Sequence, residues 1–167
     1  GFLDHHVRHG NSLVGILDPA IMQEGIPEKA YAVLSGDDKA TCTALKKSNR
    51  TQAGGRQHEL FDPAANRAMA YTLAALDAMP EDTVAAIAAK RAAFARAEAD
   101  EQLARERLRC DLYCAAFFAP KITANATKVP LSGDLLRAAE GQPMRVGVAE
   151  LTRELAEEHH FFHWRLA

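Results

Sequence analysis

Histidines cluster at both ends of this chain in one pattern, HHxxH: His5, His6 and His9, and again His159, His160 and His163, with Glu157 and Glu158 just upstream of the second set. Residues four apart share a helix face, so His5 with His9, or His159 with His163, has the spacing to chelate a transition metal. The HExxH pattern that joins zinc to a general base is absent, because histidine stands at the second position of both copies. The plainer reading makes them interfacial histidines whose ring edges are hydrogen-bonded, and on it no metal is expected. A basic cluster follows: Lys46, Lys47, Arg50 and Arg56, with Asn49 and Gln52 interleaved. Cations at one helical end followed by a glycine loop can track DNA phosphates, which position a protein without reading sequence. The alternative is a solvated helix end that complements its own dipole. Arg91, Arg96, Arg105, Arg107 and Arg109 are balanced by Glu98, Asp100, Glu101, Glu106 and Asp111, which reads as ordinary helix surface with i to i+4 pairs.

The elements that must position these residues read as helices. Asp18-Pro19 sets a cap before proline at the first helical position, giving a short turn through Gln23 that Gly25 closes. Ile26 to Leu34 reads as two helical turns. Asp38 to about Thr51 reads as a helix, acidic at its start and basic at its end, and Thr51 to His58 as a loop with adjacent glycines. Asp62-Pro63 repeats the cap-then-proline signature, with Met69, Leu73 and Leu76 at helical spacing up to Met79-Pro80. A second helix is expected to start near Pro80-Glu-Asp-Thr83, with acidic residues in its first turn, and to run to about Phe118, on Val84, Ile87, Phe94, Leu103, Leu108, Leu112 and Ala115, although Glu98 to Gln102 weakens the stripe. Those two helices form an expected Ala-rich antiparallel hairpin, alanine being the strongest helix former and small enough for close axes. After Pro120 come a loop from Ile122 to Pro130, a short helix from Ser132 to Ala139 capped by Ser132, and a last helix from Val146 to His159 with Val148, Leu151 and Leu155 on one face. The expected fold is therefore mainly α: a helical bundle with a long hairpin and short extended segments at both ends.

The two ends carry a resemblance. Phe2-Leu-Asp-His-His-Val-Arg-His-Gly-Asn-Ser-Leu-Val-Gly15 and His159-His-Phe-Phe-His-Trp-Arg-Leu-Ala167 together resemble the large DNA adenine-N6 methyltransferases of restriction-modification and phage-defence systems. In that family the first stretch follows the cofactor-binding half, and the second leads into the Asn-Pro-Pro-aromatic catalytic loop. Less specifically, Ser35-Gly-Asp-Asp-Lys and Leu112 to Phe118 are similar to stretches of the same family insertion. The resemblance implies residues 1–17 as a remnant of the methylase core, 18–158 as a helical insertion domain, and 159–167 as the return to the core. It further implies that Asn11 and Ser12 lie near the adenine of S-adenosylmethionine in the parent enzyme, that the histidines hydrogen-bond within the methylase core, and that exposed Phe161, Phe162 and Trp164 form a patch awaiting its partner.

This chain has neither the glycine-rich strand-turn that would hold the cofactor nor the loop that would hold a flipped adenine. The expectation is thus no catalytic residue and no cofactor for the fragment itself, with DNA and the rest of the methyltransferase chain as partners through the parent enzyme. A helical interaction or oligomerisation module is the alternative. Composition bounds both. With 167 residues, 48% hydrophobic and 25% charged, the chain can bury one sizeable core. A formal charge of −2 gives no global attraction to nucleic acid, so DNA contact requires a local basic face. No run approaches the roughly 18 to 20 apolar residues of a membrane span and no signal-peptide pattern opens the chain, so a cytoplasmic protein without a membrane partner is expected. Cys42, Cys110 and Cys114 are expected as reduced, partly buried thiols.

Overall fold

A computed structural model describes residues 9–53, 75–76, 78–164 and 166. The described chain is mainly helical, with five α-helices: α1 Lys39–Ala53, α2 Val84–Glu98, α3 Glu101–Phe118, α4 Ser132–Ala139 and α5 Val148–His159. Three 3-10 turns, Pro19–Met22, Glu28–Tyr31 and Thr123–Asn125, complete the regular elements. Helix α3 is central and packs against α4 and α5, while α1 packs on α4 and on the Glu28–Tyr31 turn. One core unites Met22, Ile26, Tyr31, Leu45, Leu112, Leu135, Val148 and Leu155, and Ile16 and Leu166 from the two terminal segments belong to it.

Local chemistry explains most of the boundaries. The Asp18 carboxylate accepts from the Ala20 N–H, and Pro19 supplies a fixed φ at the first position. Asp38 opens α1 by accepting from the N–H groups of Ala40 and Thr41 and from the Thr41 hydroxyl at 2.6 Å. Thr83 caps α2 through the Ala86 N–H.

Four expectations need correction. The segment from Ile26 to Leu34 makes one 3-10 turn and not two helical turns, since Ala32 at ψ 144° is already extended. The long helix from Thr83 to Phe118 is two helices: Asp100, at ψ 125°, leaves the helical region and its carboxylate accepts from the Leu103 N–H at 3.0 Å, starting α3 afresh. An interruption that had only weakened the apolar stripe is thus a cap. Ser132 is the first residue of α4 and not its cap, which is Leu131; its hydroxyl accepts from the Ile26 N–H and donates to Asn49 Oδ1. Helix α5 starts at Val148, after Gly147 at φ 80°, two residues later than expected.

Of the apolar positions expected on the long helix, Val84 is 87% exposed, whereas Phe94 is buried with Leu76 in a small satellite cluster that includes Met79 and Ile87. The other arm of the expected hairpin falls on residues 62–79 and lies mostly outside the described residues. The Ile122–Pro130 loop contains the Thr123–Asn125 turn. It is tied to α4 by Arg145, which forks onto Asp134 at 2.9 and 2.5 Å and donates to the carbonyls of Thr127 and Val129.

Candidate functional site

The two terminal segments meet. Asn11 N–H donates to the His160 carbonyl at 2.6 Å, Phe162 N–H to Val14 at 2.8 Å and Trp164 N–H to Ile16 at 3.2 Å. Residue numbers rise together along both partners, and Asn11 bridges Phe161 in the parallel sense. Between the first and second of these bonds the chain turns, with Val14 N–H returning to the Asn11 carbonyl and Leu13 N–H to Asn11 Oδ1. Two glycines make the approach possible. A Cβ at Gly15 would overlap the Phe162 carbonyl oxygen, and one at Gly10 would stand 2.6 Å from Phe162 Cδ2.

His163 fastens this ribbon to the helical body. It is 6% exposed. Its Nδ1 accepts from the Ile16 N–H at 3.1 Å, so the ring proton sits on Nε2, which donates to Asp111 Oδ1 at 2.8 Å on α3. Both ring nitrogens are engaged, which removes His163 from any chelate with His159. His159 instead lies 4.6 Å from the Phe118 ring and stacks near Phe161, and His9 meets His160 edge-on at 5.0 Å. Among the described residues no group of three or more metal-ligating side chains gathers; His5 and His6 lie outside them. His163 thus finds partners for both ring nitrogens inside this chain, on Ile16 and Asp111.

Beside the ribbon, α3 and α5 enclose a cleft of about 780 Å³. Leu103, Leu108 and Ala156 line it with Phe161, and Arg107 and Arg153 stand among Asp111, Glu150 and Glu157. Both signs of charge are present, so the cleft does not select a phosphate on charge alone. The Thr152 hydroxyl, on a residue that also lines the cleft, is buried without a hydrogen-bond partner among the described residues.

The residues singled out for DNA and cofactor fare unequally. Lys47 is exposed and Lys46 half-buried on α1. Arg50 is exposed, but its Nε and Nη2 donate to one Glu28 oxygen at 2.9 and 2.6 Å, which meets its charge. Arg56 lies outside the described residues. Asn49, read as interleaved with these cations, is 2% exposed and belongs to the core: Nδ2 donates to the Ile26 carbonyl at 2.7 Å, and Oδ1 accepts from the N–H and hydroxyl of Ser132. The Tyr31 hydroxyl donates to Pro130 beside it. Gln52 is likewise engaged, accepting from Gly133 N–H at 3.1 Å.

Asn11 and Ser12 are exposed in the terminal turn. The Asn11 amide oxygen is occupied by Leu13 N–H, and the Ser12 carbonyl accepts from the Trp164 indole at 3.3 Å. The helical pairs are also mixed. Arg105 and Glu101 form the expected surface i,i+4 pair, whereas Arg109 and Glu106 make a buried i,i+3 pair at 2.6 Å. The three cysteines are free and buried. Burial pushes the Cys114 thiol up to about 12, with the Asp111 charge adding to it, and burial likewise raises Cys110 and Cys42. None has the lowered pKa of a reactive thiol. Comparison with family models, with curated proteins and with solved structures finds no match to this chain.

Proposed function

We propose that this chain is the helical insertion domain of a site-specific DNA adenine-N6 methyltransferase of a restriction-modification or phage-defence system. The observation that supports the reading best is the parallel pairing of its two ends. Parallel neighbours require a crossover connection, and in α/β proteins that crossover is usually a helix covering a sheet buried on both faces. Here the connection between the two paired segments is the whole body from Asp18 to His159. A domain built this way can sit between adjacent parallel strands of a host sheet without disturbing them, as the resemblance of both ends to segments of the methylase core requires.

On this reading the domain supports the catalytic half and contacts DNA through Lys46, Lys47 and neighbouring cations, while the cofactor and the flipped adenine are held by chain outside these residues. The isolated chain then binds no S-adenosylmethionine and transfers no methyl group. Its DNA affinity is weak and falls steeply with salt.

The test is methyl transfer from labelled S-adenosylmethionine to adenine N6, run with the complete reading frame and with these 167 residues alone. Transfer by the first and none by the second is the expected result. No transfer by the complete protein on any duplex, with S-adenosylmethionine binding also absent by calorimetry, overturns the reading. The cleft between α3 and α5 favours the second reading, a helical interaction module, because paired helices with an apolar floor and charged rims suit a third helix. Concentration-dependent self-association without salt-sensitive DNA binding would select it. No helix among the described residues is long and apolar enough to cross a membrane.

A further inference from the structure

His163 is held by two partners that ask for opposite states of its ring. The Ile16 backbone amide can only donate, so its bond at 3.1 Å exists only while Nδ1 carries no proton. The Asp111 carboxylate, 2.8 Å from Nε2, favours the doubly protonated imidazolium instead. A ring that gains the second proton must let go of Ile16, and a ring that keeps Ile16 must stay neutral.

The surroundings suit that exchange. His163 is 6% exposed yet forms part of the wall of the cleft between α3 and α5, which gives water a route to the ring. Phe161 and Phe162, expected to be exposed together with Trp164, are half-buried in the same wall. Among the described residues the charged and titratable groups facing this cleft are Arg107 and Asp111 from α3, Glu150, Arg153 and Glu157 from α5, and His9 from the N-terminal segment. The three carboxylates outnumber the two guanidiniums, which favours a cationic ring there. Cys114, one turn beyond Asp111, adds no charge, because burial pushes its thiol up to about 12. The other bonds between the two terminal segments, Asn11 to His160, Phe162 to Val14 and Trp164 to Ile16, leave α3 out. The series Ile16, His163, Asp111 is what carries the N-terminal segment onto that helix.

We infer that His163 is an acid-sensitive latch: protonation of Nδ1 breaks its bond to Ile16 and loosens the N-terminal segment from α3, while Nε2 keeps Asp111. The latched state binds one proton fewer than the released state. Acid therefore favours release, by about tenfold per pH unit below the titration of the released ring. Every group involved lies within residues 9–163, so the latch does not depend on the insertion reading.

Two measurements on this chain, between about pH 8 and about pH 5 where imidazoles titrate, test it. Proton–nitrogen correlation spectra follow the two ring nitrogens of His163, and amide exchange follows Ile16, as protection relative to the free-peptide rate at each pH. The expected result is Ile16 protection that falls by about tenfold per pH unit as the pH drops toward the point where Nδ1 takes up its proton, while the Leu112 amide on α3 stays protected. In His163→Asn, which accepts from Ile16 and does not titrate, protection is level across the range. In Asp111→Asn, which removes the charge favouring the imidazolium, the fall begins at lower pH. Ile16 protection that stays level while Nδ1 becomes protonated overturns the inference, as does a ring that remains neutral down to about pH 5. A parallel fall at Leu112 assigns the loss to global unfolding, and an equal fall in His163→Asn assigns it to another group; either outcome overturns the latch as well.

Discussion

Replacing His163 by alanine tests the joint between ribbon and body. The substitution strips the buried Ile16 N–H of its acceptor, a loss worth about 1–3 kcal/mol. Asp111 loses a donor too, but its side chain is 20% exposed and lines the cleft, so water replaces the imidazole there and the added cost is about 0.5 kcal/mol. Loss of ring packing adds about 1 kcal/mol, less than for a sealed cavity because the site opens to the cleft. Together these come to about 2.5–4.5 kcal/mol, and at roughly 2–4 °C per kcal/mol for a domain of this size the melting temperature falls by about 5–18 °C. Urea unfolding followed by circular dichroism gives the free energy, and amide hydrogen exchange at Ile16 reports the bond itself.

The two ring nitrogens can be separated. His163→Asn retains an acceptor near the Nδ1 position, and His163→Gln a donor near Nε2. Because the Ile16 N–H is the more deeply buried partner, Asn is expected to be the milder change and to keep Ile16 protected from exchange. A loss below about 0.5 kcal/mol for His163→Ala, within the range of neutral surface changes, would refute the reasoning, as would Gln outperforming Asn.

Three further outcomes follow from the same geometry. Asn49→Ala leaves the Ile26 carbonyl and the Ser132 N–H without their partner, so equilibrium unfolding should show a loss of about 3 kcal/mol, while a surface-like change would contradict its core role. The Thr41 hydroxyl, then the Thr41 and Ala40 N–H groups, hold the Asp38 carboxyl below the usual carboxylate range. Its contribution is therefore present above the unfolded value of about 4 and is lost as pH falls through the lower folded value, so acid titration of Asp38→Ala should show a shallower loss of stability below about pH 4 than the parent. Finally, a thiol-specific chromogenic reagent at pH 8 should modify the native chain slowly and all three cysteines rapidly in urea; a thiol reacting within seconds in the native state would contradict their burial.

Much of the helical layout was legible because its signals are local. Asp18-Pro19, Asp38 and the prolines after α3 and α4 act within a few residues, and each marks a boundary in the structure. Asn49 was readable and was misread. It stands four and seven residues from positions sharing the buried stripe, in the series Cys42, Leu45, Asn49, so the helical period alone places it inward. Charge distracted from that period, since Lys46, Lys47 and Arg50 lie on either side of it. The break at Asp100 had a visible sign in the weak stripe from Glu98 to Gln102, but one acidic residue in a charged run does not announce itself as a cap. The bonds of His163 were not legible. Its partners are Asp111 and Ile16, 52 and 147 positions away, and nothing in a single sequence specifies a pairing over that distance. The basic cluster shows the same limit, since Arg50 reads as a free cation until the fold brings Glu28 against it.

The most direct measurement for the central claim is to sequence the reading frame on both sides of these residues. The account predicts a glycine-rich strand-turn before Gly1 and an Asn-Pro-Pro-aromatic loop shortly after Ala167, the two parts that an adenine methylase requires and this chain lacks. A stop codon close after Ala167, with neither part present, would contradict the insertion reading and leave an autonomous helical interaction domain.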